Sequence, residues 1–308
     1  MPKIAIVQAG TVLYDTPATI RKLEKFVNEA ANNNVDLVLF PEAFVGGYPK
    51  WNSFGITLGT RTMEGREEYL KYFNNAIEEN GPECQQIEEL AKNKNIHIVV
   101  GVIEKLGTTL YCSAFFFSPN GYIGKHRKLL PTALERCIWG QGDGSDVKVF
   151  ETSFGNISAT ICWENYMPLL RFSLYSKGVQ IYLAPTVDDR EVWLPTMRTI
   201  ALEGRCFVVS ACQFLKSSAY PEEHYLRKEH GDDKVLIRGG SCAVDPLGNV
   251  LVEPDFTQEI IRYVEFDTST ITLGKMDLDV TGHYSRPDVF QLHVNDQSNS
   301  NVKFSSEK

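Results

Sequence analysis

Apolar and polar positions alternate along this chain in blocks that change period. Residues 3–8 are an apolar run and read as a strand. Thr16-Pro17 then opens a helix, a hydroxyl cap followed by a proline whose missing N–H costs nothing at that position. Ile20, Leu23, Val27 and Ala30 follow at helical spacing, so one face packs inward, and Asn32-Asn33-Asn34 ends the helix. Residues 35–40 are short and almost wholly apolar, the pattern of a strand covered on both faces. The same rhythm predicts a helix over 64–80, a break at Asn80-Gly81-Pro82, and a second helix with Ile87, Leu90 and Ala91 inside. Strands over 96–104, 110–118 and 122–130 come next, the last two joined by a hairpin turn at Pro119-Asn120-Gly121.

In the second half, 155–161 is an apolar strand that ends at Cys162, with Trp163, Glu164 and Asn165 turning the chain away. A helix over 167–177, a buried strand over 179–185, a helix over 191–204 and a strand over 206–214 follow. Trp193, Met197, Ile200 and Ala201 mark the inner face of the later helix, and Cys206 and Cys212 read as core. Residues 216–236 are polar, charged and without periodicity, the mark of a surface insertion, and 240–266 returns to paired strands. Strands alternating with helices predict an α/β protein with added antiparallel character.

Composition narrows the classes. A chain of 308 residues with 43% hydrophobic and 23% charged residues is an ordinary globular protein. No linker divides residues 1–295, which read as a single domain, and 296–308 is too polar to fold alone and is expected to be disordered. The net charge of −8 and a lone basic cluster at Lys125-His126-Arg127-Lys128 argue against nucleic acid as a partner. No apolar run approaches the ~20 residues of a membrane span. The amino end enters its first strand without a leader, so a mature cytoplasmic protein is expected. Seven scattered cysteines, with no Cys-x-x-Cys pair and no histidine at ligand spacing, argue against both a disulfide framework and a structural metal site.

Three positions carry chemistry. Glu42 follows a buried strand, where open α/β sheets keep their ligand crevice. Lys128 lies near the end of another strand, and Cys162 stands at the end of a third. Each has a plain reading: a carboxylate capping its strand into solvent, a solvated lysine, a small buried hydrophobe. Each also has a chemical one, above all Cys162 as a nucleophile mounted on a sharp turn. The glycines of Trp139-Gly-Gln-Gly-Asp-Gly144 lack the Gly-Lys-Ser/Thr and the strand-to-helix setting of a phosphate cradle.

Taken together, Pro41-Glu42-Ala43-Phe44, Tyr48-Pro49, Lys128 in Arg-Lys-Leu-Leu-Pro-Thr, Glu135-Arg136 through Trp139 to the Gly-Asp-Gly loop, Cys162-Trp163-Glu164-Asn165 and His283-Tyr-Ser-Arg-Pro-Asp288 resemble the nitrilase superfamily over nearly the whole chain, and its true nitrilase branch in particular. The resemblance implies a four-layer α-β-β-α sandwich and hydrolysis of an organic nitrile to acid and ammonia. In that chemistry Cys162 is the nucleophile, Glu42 the general base and Lys128 the cation that favours the thiolate and the developing negative charge. Glu135 would orient Lys128 and the substrate or water; a structural ion pair with Arg136 or Lys128 is its other reading. Tyr48, Trp139, Trp163 and Tyr166 are implied as pocket residues, although Trp163 and Tyr166 read equally well as packing.

The resemblance implies no metal or organic cofactor, a small-molecule nitrile as the partner, and a homodimer or higher homo-oligomer. The tail beyond the His283 motif is short, which argues against long tail-stabilised filaments. A cyanide-degrading or hydratase-type nitrilase, an amidase or carbamoylase, and a catalytically idle binding or assembly protein are the alternatives.

Overall fold

The structure, a computed structural model, describes residues 1–299 and residue 302, so most of the tail expected to be disordered, residues 300, 301 and 303–308, lies outside the described residues. Among the described residues thirteen strands run in chain order: β1 Lys3–Gln8, β2 Leu37–Leu39, β3 His97–Leu106, β4 Thr109–Ser118, β5 Gly121–Arg127, β6 Ile157–Ala159, β7 Ile181–Leu183, β8 Phe207–Ser210, β9 Phe214–Lys216, β10 Val235–Arg238, β11 Cys242–Val244, β12 Val250–Val252 and β13 Ile260–Glu265. The helices are α1 Thr16–Ala31, α2 Met63–Asn74, α3 Pro82–Lys94, α4 Pro168–Ser176, α5 Trp193–Gly204, α6 Tyr225–His230 and α7 Ser269–Lys275. None is long and apolar enough to cross a membrane among the described residues.

Two sheets form the centre, one of six strands in the order β13-β1-β2-β3-β4-β5 and one of five in the order β12-β11-β8-β7-β6. β1–β3 and β6–β8 pair in parallel within their sheets, and the other neighbouring strands pair antiparallel. Side-chain parity explains the layering. In the first sheet Ile4, Ile6, Leu37 and Leu39 face the second sheet, whose Ile181, Leu183, Phe207 and Val209 meet them in one apolar core. The intervening residues Ala5, Val7, Val38 and Phe40 face outward onto Ile20, Leu23 and Val27 of α1 and Ile87 and Ala91 of α3. On the far side, Tyr182, Ala184 and Val208 pack against Leu174 of α4 and Trp193, Met197 and Ile200 of α5. Three apolar layers between four layers of structure make the α-β-β-α sandwich, and they explain why the strands read as continuous apolar runs.

Several boundaries move. The cap of α1 is Asp15, whose carboxylate accepts from the Ala18 amide at 2.9 Å, while the Thr16 hydroxyl instead donates to the Asn75 carbonyl at 2.5 Å. The helix expected over 64–80 stops at Asn74, and the strands expected over 155–161 and 179–185 shrink to three residues each, with single backbone bonds such as Thr160 N to Leu183 O carrying the contact further. Residues 216–236 are not a plain surface insertion. Ser217, Tyr220, His224 and Leu226 are buried, and β10 pairs antiparallel with β9. A few well-spaced apolar residues anchor this excursion without giving it a period. Trp139 likewise is buried, although its glycine-rich loop reads as too irregular for core.

Candidate active site

The carboxyl ends of the parallel strands meet between the two sheets, and there the chain leaves each strand in a different way. After β2 it turns through Pro41 to Glu42, with Ala43 in the left-handed region at φ +50°. Gly101 of β3 lies under this turn, where a Cβ would come within 2.2 Å of the Pro41 carbonyl oxygen and 2.7 Å of Glu42 Cα. After β6 it runs through Thr160 and Ile161 into a 3-10 turn over Cys162–Tyr166, with Cys162 itself at φ +53°. A non-glycine residue in that region is strained and persists only where its surroundings hold it. Here the Cys162 amide donates to the Pro185 carbonyl at 2.9 Å, and the Asn165 side-chain amide donates to the Cys162 carbonyl at 2.7 Å. Lys128 directly follows β5, its amide donating to Cys112 O at 2.8 Å.

Glu42, Lys128, Glu135 and Cys162 are brought together. Lys128 Nζ donates to Glu42 Oε1 at 2.7 Å and to Glu135 Oε2 at 2.8 Å, and Lys128 and Glu42 have no exposed side-chain surface. The other Glu42 oxygen accepts from the Val187 amide at 3.0 Å, and the Glu42 carbonyl accepts from Gln213 Nε2 at 2.8 Å. Val187 lies in the segment after β7 and Gln213 in the segment after β8, so both the carboxylate and the main chain of Glu42, carried by the first sheet, are held by segments that leave the second. Glu135 also accepts from the Thr132 amide at 2.7 Å and from the Tyr48 hydroxyl at 2.8 Å. Its partner is therefore Lys128 and not Arg136, whose Nε donates to the Pro131 carbonyl at 3.0 Å.

The electrostatics change one expectation. Cys162 is only 4% exposed, not presented on an open strand end. Burial, and next the Glu42 carboxylate, push its thiol up, outweighing Lys128, which pulls it down. The surroundings therefore favour the thiol over a standing thiolate. Burial also raises the Glu42 carboxyl above the ordinary glutamate value against the pull of Lys128. Burial disfavours the Lys128 cation, but Glu42 and the other acidic groups around it outweigh this and hold the ammonium well above its usual range. A thiol and a carboxyl both shifted toward holding protons, beside a cation that does not lose its own, suit proton transfer between sulfur and carboxylate.

A cavity of about 360 Å³ opens beside Glu135 and is lined by Tyr48, Trp51, Phe54, Ile138 and Trp139 among others. Tyr48 packs edge-on against Trp139 at 5.8 Å, and Lys128 Nζ lies 5.6 Å from the Trp139 ring centre. Trp163 and Tyr166 do not line this cavity. They are 44% and 40% exposed and meet edge to face at 5.9 Å. The Trp163 indole N–H donates to Asp188 at 2.9 Å, and Arg190, itself paired with Asp188, lies over the Trp163 ring.

Sequence reasoning passes over four groups here: the Val187 amide, which has no side-chain signature, Gln213, Cys112 and the His126–Glu164 pair. Gln213 is signalled as a polar residue inside an apolar run. Cys112 Sγ lies 3.7 Å from Glu42 Oε1. No group of three or more His, Cys, Asp or Glu able to hold a metal occurs among the described residues.

Comparison with known proteins places this geometry. A profile of the carbon-nitrogen hydrolase family matches residues 3–275. The chain is 49% identical to an aliphatic nitrilase of Sinorhizobium fredii (strain HH103) over 97% of this chain and 97% of that protein. It is 49% identical to a bifunctional nitrilase/nitrile hydratase of Lupinus angustifolius over 99% of this chain and 89% of that one. In fold it is similar to Nit3 of Saccharomyces cerevisiae, a member of branch 10 of the nitrilase superfamily, with a TM-score of 0.70 at 20% identity over 92% of this chain and 96% of that one. The buried Glu42–Lys128–Glu135 cluster beside Cys162, on a sandwich of this architecture, therefore sits in a chain that belongs to the carbon-nitrogen hydrolase family of the nitrilase superfamily.

Proposed function

We propose that this protein is a nitrilase that converts an organic nitrile and two waters into a carboxylic acid and ammonia, with Cys162 as nucleophile. The observation that carries the reading is the buried ion cluster of Lys128 between Glu42 and Glu135, in electrostatic contact with Cys162. Cys162 sulfur bonds to the nitrile carbon as Glu42 takes the thiol proton. Glu42 then returns that proton to the nitrogen, giving a thioimidate. Glu42 next takes a proton from water as the water oxygen bonds to the same carbon and hands it to the nitrogen; the remaining hydroxyl proton then passes to that nitrogen, the carbon–nitrogen bond breaks, ammonia leaves and an acyl thioester remains. A second water, activated in the same way, releases the acid and restores the thiol. Lys128 offsets negative charge as it develops on the substrate, and Glu135 orients Lys128. The first amide of the turn after Cys162, on Trp163, meets no acceptor among the described residues and is a second donor for that charge.

The cavity walled by Tyr48 and Trp139 is the substrate side chain's place in this reading. Purified protein is expected to release ammonia and acid from a nitrile panel, and Cys162→Ala to release none while folding normally; undiminished turnover in that variant would sink the assignment. The same panel should be read for amide. A second reading, partial hydration to the amide, is favoured by the likeness to the bifunctional Lupinus angustifolius protein. The two outcomes differ only in whether ammonia or the thiolate leaves the tetrahedral intermediate.

A homo-oligomer belongs to the same proposal. A groove of about 1140 Å³ is lined by Leu169, Phe172, Tyr284, Val289, Phe290 and Leu292, and Leu169, Tyr284 and Phe290 are exposed. A second copy of the chain would cover these side chains. Light scattering is expected to give at least a dimer, and a strictly monomeric protein at micromolar concentration would refute it. A cytoplasmic location is in keeping with seven cysteines that are all unpaired.

A further inference from the structure

We infer that Glu164, paired with a charged His126, is a positioning residue that sets the distance between Cys162 and Lys128. The inference rests on the nitrilase reading for its kinetic part only. Glu164 is buried, and its two carboxylate oxygens each accept a backbone amide. Oε2 accepts from Ile161 N, the residue before Cys162, at 2.7 Å. Oε1 accepts from Leu129 N, the residue after Lys128, also at 2.7 Å. One rigid carboxylate thus spans the two chain segments, one from each sheet, that deliver the nucleophile and the cation. The rest of each segment is pinned on its other side. Cys162 N donates to Pro185 O at 2.9 Å, and Lys128 O accepts from Gly142 N at 2.9 Å. Neither segment can slide without breaking a charge-assisted hydrogen bond in a buried place, where such bonds are strongest.

His126 supplies the charge that makes this buried carboxylate tolerable. Its Nε2 lies 3.0 Å from Glu164 Oε2 and 3.2 Å from Oε1, and its Nδ1 lies 3.2 Å from the Asp146 carbonyl oxygen. Both ring nitrogens face acceptors, and only the imidazolium donates at both. The groups that face the ring are Glu164 from the Cys162 turn and the Asp146 backbone and carboxylate from the loop beside β5. Burial disfavours the charged ring, but Glu164 outweighs it and raises the histidine above its ordinary value. His126 stands two residues before Lys128, so the pair also orients the end of β5.

The test separates positioning from a merely structural role. Glu164→Gln keeps the shape but turns an amide NH2 toward one of the two backbone donors, so one of the two bonds is lost. If Glu164 positions the site, kcat falls about tenfold or more with KM within about threefold, because ground-state binding does not pass through this carboxylate. Independently of any nitrile, Cys162 alkylation by iodoacetamide, followed by peptide mass spectrometry across pH, should move its midpoint up by about half a unit or more, because Lys128, which opposes Glu42 and Glu135 at the sulfur, is less well placed. A folded Glu164→Gln protein with kcat within about twofold of wild type and an unmoved midpoint overturns the proposal. Where that variant does not fold, His126→Gln, which keeps a neutral donor and removes the charge, carries the same two readouts with the same expectations of sign, and an unchanged kcat and midpoint there overturns it equally. Wild-type protein that hydrolyses no nitrile, with the midpoint shift intact, would remove the nitrilase reading and leave the positioning role standing.

Discussion

The Val187 amide donates to Glu42 Oε2 at 3.0 Å across the seam between the two sheets. With Lys128 on the other oxygen, Glu42 has a donor on each side and no exposed side-chain surface. Glu42 is thus held by groups contributed from both halves of the sandwich, and its cluster with Lys128 and Glu135 exists only when the halves are joined.

Removing the cation from this cluster exposes its cost. Lys128→Met leaves Glu42 and Glu135 buried without a counter-ion, and unfolding free energy is expected to drop by roughly 3–5 kcal/mol, with turnover lost. Adding Glu42→Gln to that variant removes one of the stranded charges and is expected to restore part of the stability. Urea unfolding of the two single variants and the double variant measures this, and a strictly additive or larger loss in the double variant would contradict it.

Glu42→Gln alone should separate two properties that usually move together. Turnover is expected to fall by about 10²-fold or more with the base gone. The Cys162 thiol, freed of the carboxylate that helps push it up, should ionise more easily. A fall in kcat with a downward shift in the alkylation midpoint is the expected pair; an upward shift would show that Glu42 does not act on the sulfur as described.

Gly101→Ala touches no reacting group. Its Cβ would meet the Pro41 carbonyl oxygen at 2.2 Å, the Ala43 amide at 2.6 Å and Glu42 Cα at 2.7 Å, all of them backbone atoms that cannot rotate away. A stability loss of about 1–3 kcal/mol is expected from the forced shift, together with a fall in kcat because Glu42 rides on the displaced turn. Wild-type kcat in a destabilised variant would mean that the turn yields away from the site.

Stability should depend on pH through His126. Its folded-state pKa is raised by Glu164 above the unfolded value, so the imidazolium's contribution is complete below about pH 6.5 and is lost as pH rises through the folded-state value. The difference in thermal midpoint between wild type and His126→Gln is therefore largest on the acidic side of that range and narrows as pH rises. A difference that widened with pH would mean that the ring is neutral in the folded protein.

Much of this was legible in the chain. The double-sided apolar strands, the inner faces of α1, α3 and α5, and the linear surroundings of Glu42, Lys128, Glu135 and Cys162 all follow from local spacing and residue type. Elsewhere local pattern points the wrong way. Tyr220 and Leu226 are isolated apolar residues in a charged stretch, and their burial depends on a surface that other parts of the chain provide. Trp163 directly follows Cys162, yet its indole is tied to Asp188 rather than lining the cavity beside Glu135, since a 3-10 turn sends adjacent side chains in different directions.

What the sequence by itself determined is which residue types stand at the ends of which strands, because strand period and turn residues are local properties. What only the tertiary structure decided is their electrostatic state. Whether Cys162 rests as thiol or thiolate, and whether Glu42 and Lys128 are solvated or locked together, depends on how much water the closed sandwich excludes and which charges it brings within a few ångströms, and neither quantity is written in any local stretch.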